Sequence, residues 1–408
     1  METIHPICCG LDVHQASVTA CLRRVKSEGT VSVEVREFGT TVTDLISLAE
    51  WLVEAGCPIA AMESTGVYWK PVWNILSPLL DVWTLNARDV KQRRGKKRDR
   101  ADAKWIAELV AHDLVQPSFV PPPALGALRD LLRTRTVLVQ TRTQVKNRVL
   151  AMLEDTNVKL ASVVSDPFGV SGLKIMKALI NGERDVKVLS DLAMGVLRRK
   201  IPQLELALQG SFTDHHAFLI RLGLDSLDQC NRQISELDAR ISFVMEPLQE
   251  RTSQLMSIPG VGEIAARVIL SEIGTDMSRF GSAQRLASWA GLCPGDNESA
   301  GKRKSGKTRK GNRYLRRVLS ECAWATRHTE TFLGRTFRRL HVRIGGKKAA
   351  VAVAHKILVI IFHLLNEAQL YQDERYDAIK EKDRIRQKTR ALTTLHRLGY
   401  QVTLNPVS

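Results

Sequence analysis

The chain has 408 residues, of which 44% are hydrophobic, and this is enough to bury the cores of two or three globular domains without covalent staples. Its 60 lysine and arginine residues exceed the 43 acidic residues, and the net charge of +17 indicates a protein that binds polyanions, with nucleic acid the first candidate. The seven cysteines are odd in number and contain no C-x-x-C pair, so they indicate neither a disulfide framework nor a zinc ribbon, and we expect reduced thiols in a cytoplasmic protein.

The first 85 residues alternate between predicted strands and helices. Short apolar or alternating segments indicate strands at 6–12, 16–23, 31–38, 59–63 and 82–85, and longer segments indicate helices at about 43–55 and 67–79. Tight turns join the first three strands, which predicts an antiparallel meander. The whole order is typical of an α/β domain with a ribonuclease-H-like sheet.

Four acidic residues of this domain could form one site. Asp12 ends the first strand and Glu63 ends the fourth, whereas Asp99 and Asp102 lie near the start of a helix predicted from residue 102 to about residue 112. In a ribonuclease-H-like sheet the first and fourth strands are neighbours, so the four carboxylates could gather around Mg²⁺, which prefers oxygen ligands. The alternative for each acid alone is a surface residue or a helix cap.

Basic residues surround these acids and continue into the next segment. The linker 88–100 contains Lys96, Lys97 and Arg98, and a long helix after the Pro121–Pro123 run carries Arg129 and Arg133 outside its apolar stripe. All five are candidate contacts to a nucleic-acid backbone. Residues 160–226 contain short helices without an interpretable motif.

Residues 227–248 and the segment after them carry two further patterns. Apolar residues in the first recur every three and four positions, as in a coiled-coil seam, and both intramolecular pairing and self-association fit this spacing. Ser257–Glu263 contains Pro-Gly-Val-Gly between two helices, which resembles a helix-hairpin-helix turn that presents backbone amides to phosphate. These glycines could also simply cap helices. The apolar segment 349–365 includes His355, Lys356 and His363, so we expect a buried helix rather than a membrane span.

The stretch from Asn297 to Asn312 allows two interpretations. Gly301 to Thr308 fits the G-x-x-x-x-G-K-[ST] pattern of a phosphate-binding nucleotide loop, but such a loop should follow a buried strand and enter a helix directly. No strand is predicted before it, which favours a cationic loop. In that interpretation Ser299 is a candidate nucleophile. The cations that could hold phosphate beside it are Lys302, Arg303, Lys304, Lys307, Arg309 and Lys310.

Several of these motifs, in this order, resemble those of the DEDD insertion-sequence transposases, which are related to Piv-like invertases and include bridge-RNA-guided recombinases. The resemblance rests on Gly10-Leu-Asp12, Glu63-Ser-Thr-Gly-Val-Tyr68 and Lys97-Arg-Asp99-Arg-Ala-Asp102-Ala103 in the first part of the chain. In the second part it rests on Ile258-Pro-Gly-Val-Gly262, Phe280 through Pro294, Glu298-Ser299 and Lys310-Gly-Asn-Arg-Tyr-Leu-Arg316. The match spans most of residues 6–345, but it leaves the connector segment 160–226 and the chain after 372 uncovered.

The resemblance implies a RuvC-like domain at 1–123, a helical coiled-coil connector at 124–250, a mostly helical transposase domain at 251–372 and a charged tail at 373–408. It implies that Asp12, Glu63, Asp99 and Asp102 bind Mg²⁺, and that Ser299 forms a phosphoserine link to DNA during strand exchange.

The implied partners are donor and target DNA, a structured guide RNA and further copies of the chain, from a homodimer to a homotetramer, in which the RuvC-like domain of one subunit faces the transposase domain of another. The implied location is the cytoplasm of a prokaryote, at the nucleoid during action. Two alternatives remain open: a metal-dependent nuclease without serine chemistry, and a nucleic-acid-binding protein without catalysis.

Overall fold

The computed structural model describes residues 2–25, 29–64, 66–87, 90, 99–294, 297–299, 302–305, 308, 310–373 and 377–400. The chain forms two compact units, Met1–Val120 and Pro121–Ser408. The first is an α/β unit, and the second is mostly helical, as the sequence predicted. The second unit contains both the predicted connector and the predicted serine domain, and their division at residue 250 stays a prediction.

The first unit is built on one mixed sheet. In the described part of the chain its five strands have the order β3-β2-β1-β4-β5, with β2 antiparallel to β1 and β3, and with β4 parallel to β1 and β5. This arrangement fits the predicted ribonuclease-H-like order. The strands are β1 (Ile7–Val13), β2 (Ser17–Val25), β3 (Val31–Gly39), β4 (Ile59–Glu63) and β5 (Asp81–Leu85), and the helices are α1 (Val42–Glu54), α2 (Trp69–Leu76) and α3 (Asp99–Ala111).

Alternating side chains of β1 enter two different cores, because neighbouring residues of a strand point to opposite faces of the sheet. Cys9 and Leu11 pack with buried residues of α1, among them Leu48. Cys8 lies on the other face, in a cluster with Ile106 and other residues of α3. The sheet is therefore covered by helices on both sides, and α3 covers the face to which Cys8, Gly10 and Asp12 belong.

The second unit begins with a pair of long antiparallel helices. α4 (Pro123–Asp155) and α9 (Asp214–Met245) enclose the short helices α5 (Leu160–Val163), α6 (Val170–Ile180), α7 (Val186–Asp191) and α8 (Ile201–Ala207). The ion pair between Arg135 and Asp238 and the hydrogen bond from Arg142 to Asn231 fix the antiparallel register. Buried residues of the predicted seam, such as Ile234 and Ile241, lie within this unit. The seam thus forms inside one chain, and self-association is not needed to bury it.

The remaining helices include one buried helix. They are α10 (Gln249–Met256), α11 (Glu263–Ile273), α12 (Ala283–Trp289), α13 (Arg313–Ala325), α14 (Phe332–Ile344), α15 (Gly346–Glu367) and α16 (Asp377–Arg397), with the strands β6 (Asn297–Ser299) and β7 (Lys302–Ser305) between α12 and α13. The buried helix is α15, which packs against α10, α12, α13 and α14. Within the described residues, α15 is the one helix long and apolar enough to cross a membrane. Its buried side chains, including Val353 and Ile357, explain this composition as that of a core helix.

Candidate functional site

Asp12 and Glu63 lie side by side at the ends of two parallel strands. β1 and β4 pair with Leu11 opposite Met62, so the next residues along the two strands are Asp12 and Glu63. The predicted adjacency of the first and fourth strand ends is confirmed. Both residues follow Gly10 and Ala61 by two positions, and side chains two apart share a face. The two carboxylates therefore belong to the α3 face of the sheet.

Helix α3 brings its first turn to the same end of β1. Its carbonyl at Ala111 accepts hydrogen bonds from the amides of Ile4 and His5, before the start of β1, and its carbonyl at Ala107 accepts one from the Cys8 thiol. The helix thus runs antiparallel to β1, and its N-terminal turn lies toward Asp12. Helix α3 starts at Asp99, three residues before the predicted start. Asp102 is exposed on this turn, and the side chain of Asp99 is outside the described part of the structure.

Gly10 permits this close packing. A Cβ atom at Gly10 would overlap the carbonyl oxygen of Ala103 and would lie 2.5 Å from the amide nitrogen of Ala107. No side chain larger than hydrogen fits between β1 and α3 at this point. The glycine of the Gly10-Leu-Asp12 motif therefore sets the distance between Asp12 and the helix that carries Asp99 and Asp102.

The donor set suits a hard divalent cation, because all four predicted ligands are carboxylates. Among the described side chains, however, no three His, Cys, Asp or Glu residues are close enough to hold a metal ion, and this set does not include Asp99. Sequence reasoning missed His14, whose Nε2 lies 3.1 Å from Oδ2 of Asp12. A histidine two residues after Asp12, just beyond the end of β1, is the signal that could have revealed this contact.

The region around Ser299 forms a β-hairpin, which the sequence did not predict. β6 and β7 pair antiparallel, with Ser299 opposite Lys302, and an isolated bridge joins Pro294 to Thr308 below them. A nucleotide loop needs residues 301–308 to wrap phosphate and enter a helix directly, but β7 lies in the middle of this range and α13 begins only at Arg313. The nucleotide-loop interpretation is therefore wrong. The side chain of Ser299 is not among those described.

The base of this hairpin is tightly packed. A Cβ atom at Gly311 would overlap the amide nitrogen of Gly291 and would lie 2.5 Å from the carbonyl carbon of Ala290. The segment that enters the hairpin and the segment that leaves it therefore touch at their backbones. Asn312 follows immediately and caps α13, with its Oδ1 accepting hydrogen bonds from the amides of Tyr314 and Leu315.

Two arginines that were predicted to contact nucleic acid, Arg129 and Arg133, bind a carboxylate inside the second unit. Arg129 is buried, with its Nε 3.1 Å from Oε2 of Glu272 and its Nη2 donating to the Glu272 carbonyl. Arg133 donates two hydrogen bonds of 2.8 Å to the same carboxylate and stacks on the ring of Tyr314. Burial lowers the pKa of the Arg129 guanidinium, and the Glu272 carboxylate opposes this effect. We therefore correct the prediction for Arg129, whose guanidinium is buried against an internal carboxylate. Arg133 binds the same carboxylate, and its contact with a phosphate backbone stays a prediction.

The structure describes only some of the other lysines and arginines that were predicted to contact nucleic acid. Lys310 is exposed beside the hairpin base. Strand β7 contains Lys302, Arg303 and Lys304, and the structure describes their backbone but not their side chains. The remaining five predicted residues lie outside the described part of the chain: Lys96, Lys97, Arg98, Lys307 and Arg309.

The predicted turn between helices at Ile258–Gly262 lies between α10 and α11. Gly260 has a φ of +86°, and a Cβ atom there would lie 2.5 Å from the carbonyl oxygen of Cys322 on α13. A side chain at this position would be strained and would push the turn away from α13. The glycine therefore has a packing role, and the amides of the turn remain a predicted phosphate contact.

Two family models match this chain. One, described as transposase of the DEDD IS110 type, covers residues 9–158, and the other, described as transposase of the IS116/IS110/IS902 family, covers residues 252–337. The first range contains the four carboxylates and the second contains Ser299 and Glu272.

Relatives with curated names are similar over most of the chain. A protein of Pseudomonas aeruginosa named "Probable family 20 transposase" is 24% identical over 68% of this chain and 75% of its own length. The transposase for insertion sequence element IS1111A of Coxiella burnetii is 26% identical over 68% of this chain and 69% of its own length. The pilin gene-inverting protein of Moraxella bovis is 42% identical over a shorter stretch, 22% of this chain and 25% of its own length.

Proposed function

Since the chain belongs to the IS110/IS116 family of DEDD transposases, we propose that it moves an insertion sequence by DNA strand exchange through a serine-linked intermediate. The general activity, DNA transposition, follows from the family. The finer proposal is supported by two features, each within its own unit: Asp12 and Glu63 are adjacent at the strand ends near the first turn of α3, and Ser299 ends strand β6 of a cation-rich hairpin.

The carboxylates have the role of holding a divalent cation. We propose that Asp12, Glu63, Asp99 and Asp102 hold Mg²⁺, with Gly10 setting the approach of α3. The chemistry that such a cation supplies when bound is stabilisation of negative charge on the phosphate under attack. His14, hydrogen-bonded to Asp12, would orient this carboxylate.

Ser299 has the role of nucleophile. Its hydroxyl would lose a proton as Oγ forms a bond to phosphorus, while one bridging P–O bond of the DNA breaks and its oxygen leaves as a sugar hydroxyl. A hydroxyl of the other DNA strand would then attack the phosphoserine, which re-forms a phosphodiester and releases the serine. The cations of β7 and Lys310 would stabilise the charge that develops on phosphate.

Guidance by RNA and assembly into dimers or tetramers are part of the same proposal. They rest on the motif resemblance of Glu63–Tyr68, Glu298–Ser299 and Lys310–Arg316 and on the positive charge of the chain. A structured RNA that pairs with donor and target DNA would carry the sequence specificity. Sequencing of RNA that copurifies with the protein, and a search for complementarity to the insertion site, tests this part.

A covalent protein–DNA adduct on denaturing gels tests the serine chemistry. Wild type with Mg²⁺, DNA and the copurifying RNA should form the adduct, and Ser299→Ala and Asp12→Asn should form none. Ser305→Ala is the matched control, because Ser305 lies on the partner strand of the same hairpin, and it should keep the adduct. Cleavage that survives Ser299→Ala would establish a metal-dependent nuclease instead, and binding without cleavage by wild type would establish a non-catalytic protein.

A further inference from the structure

A buried carboxylate joins three segments of the second unit where the Ser299 hairpin leaves its helical base. Glu272, near the end of α11, has a side chain only 1% exposed. It accepts hydrogen bonds from Arg133 of α4 and from Nδ2 of Asn312, the latter at 2.6 Å, and it pairs with Arg129. We propose that Glu272 and Asn312 are positioning residues that hold the hairpin, and with it Ser299, for attack on DNA. This inference rests on the proposed role of Ser299.

Asn312 combines two separate hydrogen-bonding tasks. Its Oδ1 caps α13 by accepting from the amides of Tyr314 and Leu315, at 3.1 and 3.0 Å. Its Nδ2 donates to Glu272. An amide side chain is suited to this double role, because it has an acceptor and a donor at opposite ends of one plane. Serine at this position could keep the cap but could not make the bond to Glu272.

A movement of Asn312 would displace the hairpin, because the residues just before Asn312 form the base of the hairpin. Gly311 is packed against the backbone of Ala290 and Gly291, and Thr308 is bridged to Pro294 on the opposite leg. Both legs of the hairpin thus start from one packed junction, and Asn312 ties this junction to Glu272. Misplacement of a reacting group by about 1 Å can lower a rate about 100-fold, so the tie matters for chemistry even where the fold survives its loss.

The electrostatics explain why a carboxylate occupies this buried position. Two guanidinium groups converge on Glu272, and Arg133 binds it with the two-pronged geometry that favours a fixed orientation. Arg133 also stacks on Tyr314, in the first turn of the helix that Asn312 caps. The cluster therefore fixes α4, α11 and the start of α13 against one another, which makes it a rigid base for the hairpin.

Asn312→Ser tests the tie without removing the cap. We expect wild-type DNA affinity by fluorescence anisotropy and a melting temperature that falls by only a few degrees, because one hydrogen bond to a buried carboxylate is lost. Adduct formation should slow by about 100-fold at saturating DNA. Without DNA, amide hydrogen exchange in 297–305 should be faster than in wild type. Ser282→Ala is the matched control: Ser282 caps α12 by accepting from the Arg285 amide and has no bond to the cluster, so its loss should leave both readouts unchanged.

The two readouts separate this inference from the proposed function. Adduct formation by Asn312→Ser at the wild-type rate, or hydrogen exchange of its hairpin equal to wild type, would overturn the positioning role. If wild type itself forms no adduct, the proposed serine chemistry fails, and the hydrogen-exchange comparison still decides whether the cluster holds the hairpin. Glu272→Gln, like Asn312→Ser, should slow adduct formation and speed hydrogen exchange in the hairpin. If Glu272→Gln does not fold, Asn312→Ser alone decides whether the cluster positions the hairpin.

Discussion

Asp12 occupies the position where β1, β4 and His14 meet, so its charge should control metal binding. Replacing Asp12 with Asn, or Glu63 with Gln, keeps the shape of each side chain and removes one anionic oxygen donor. We expect the affinity for Mn²⁺, used as a paramagnetic substitute for Mg²⁺, to fall by at least about 10-fold in each variant, since even indirect partners of metal ligands have effects of this size.

Electron paramagnetic resonance of free Mn²⁺ measures this affinity without DNA. Glu50→Gln is the matched control, because Glu50 is exposed on α1, which packs on the opposite face of the sheet. Wild-type affinity in Asp12→Asn would remove Asp12 from the predicted ligands and would leave the serine chemistry to be judged separately.

The thiols of the first unit set a limit on its stability at high pH. Burial raises the pKa of Cys8 to about 12 and the pKa values of Cys21 and Cys57 to about 11, from an ordinary value of 9.0. Well below pH 9 these thiols are neutral in both the folded and the unfolded states. Between pH 9 and the folded-state pKa only the unfolded state ionises, so the free energy of unfolding falls by about 1.4 kcal/mol per pH unit for each thiol.

Thermal unfolding at pH 8.5 and pH 10.5 checks this linkage. The melting temperature of wild type should drop between the two values, and the drop should be smaller in Cys57→Ala, which lacks one titrating thiol. The variant is expected to start from a lower melting temperature, because it loses a buried sulfur atom. An equal drop in both proteins would show that Cys57 does not contribute to the alkaline transition.

At the scale of secondary-structure elements, the contact between β1 and α3 is the most sensitive to a single methyl group. Gly10→Ala would place its Cβ in the backbone of α3 at Ala103 and Ala107. We expect a loss of about 1–3 kcal/mol in the free energy of unfolding of the first unit, together with weaker Mn²⁺ binding, because α3 must move away from Asp12.

Denaturant unfolding and Mn²⁺ titration measure the two effects, and Gly126→Ala provides the comparison. Gly126 lies in α4 with open space around its Cβ position, so alanine there should be neutral or stabilising. If Gly10→Ala lowers the free energy of unfolding but leaves Mn²⁺ affinity unchanged, the first turn of α3 does not contribute metal ligands.

The same elements show how far sequence patterns extend. Short apolar segments were sufficient to predict β1 and β4 to within one residue. The ribonuclease-H-like strand order was sufficient to predict the adjacency of Asp12 and Glu63, because strand order is a topological property. The hairpin at Ser299 was missed because its sequence is rich in lysine and glycine and lacks the β-branched residues that indicate strands.

The bond between Arg133 and Glu272 was missed for a different reason. A cation outside the apolar stripe of a helix looks the same whether it faces phosphate or a buried acid, and its partner, Glu272, is 139 residues away in the sequence. The antiparallel pairing of α4 with α9 was undecided for the same reason: a seam indicates that a partner helix exists, but the choice between the same chain and another copy depends on contacts distant in sequence.

At the scale of the whole molecule, the charge of +17 predicts how binding to DNA depends on salt. Each lysine that neutralises a phosphate releases condensed counterions, so the logarithm of the association constant should fall linearly with the logarithm of the salt concentration. Lys310→Ala should weaken binding and reduce this slope by about 1, because Lys310 is exposed next to the hairpin base.

Lys159→Ala is the comparison for this slope, since the Lys159 ammonium pairs with Glu154 within the same subunit and should not be available for phosphate. Fluorescence anisotropy with one DNA duplex over a range of salt concentrations gives both slopes. A slope for Lys310→Ala equal to that of wild type would place the phosphate contacts elsewhere on the chain. Equal losses in both variants would mean that net charge, rather than the surface beside the hairpin, determines binding, because removal of either lysine lowers the net charge by the same amount.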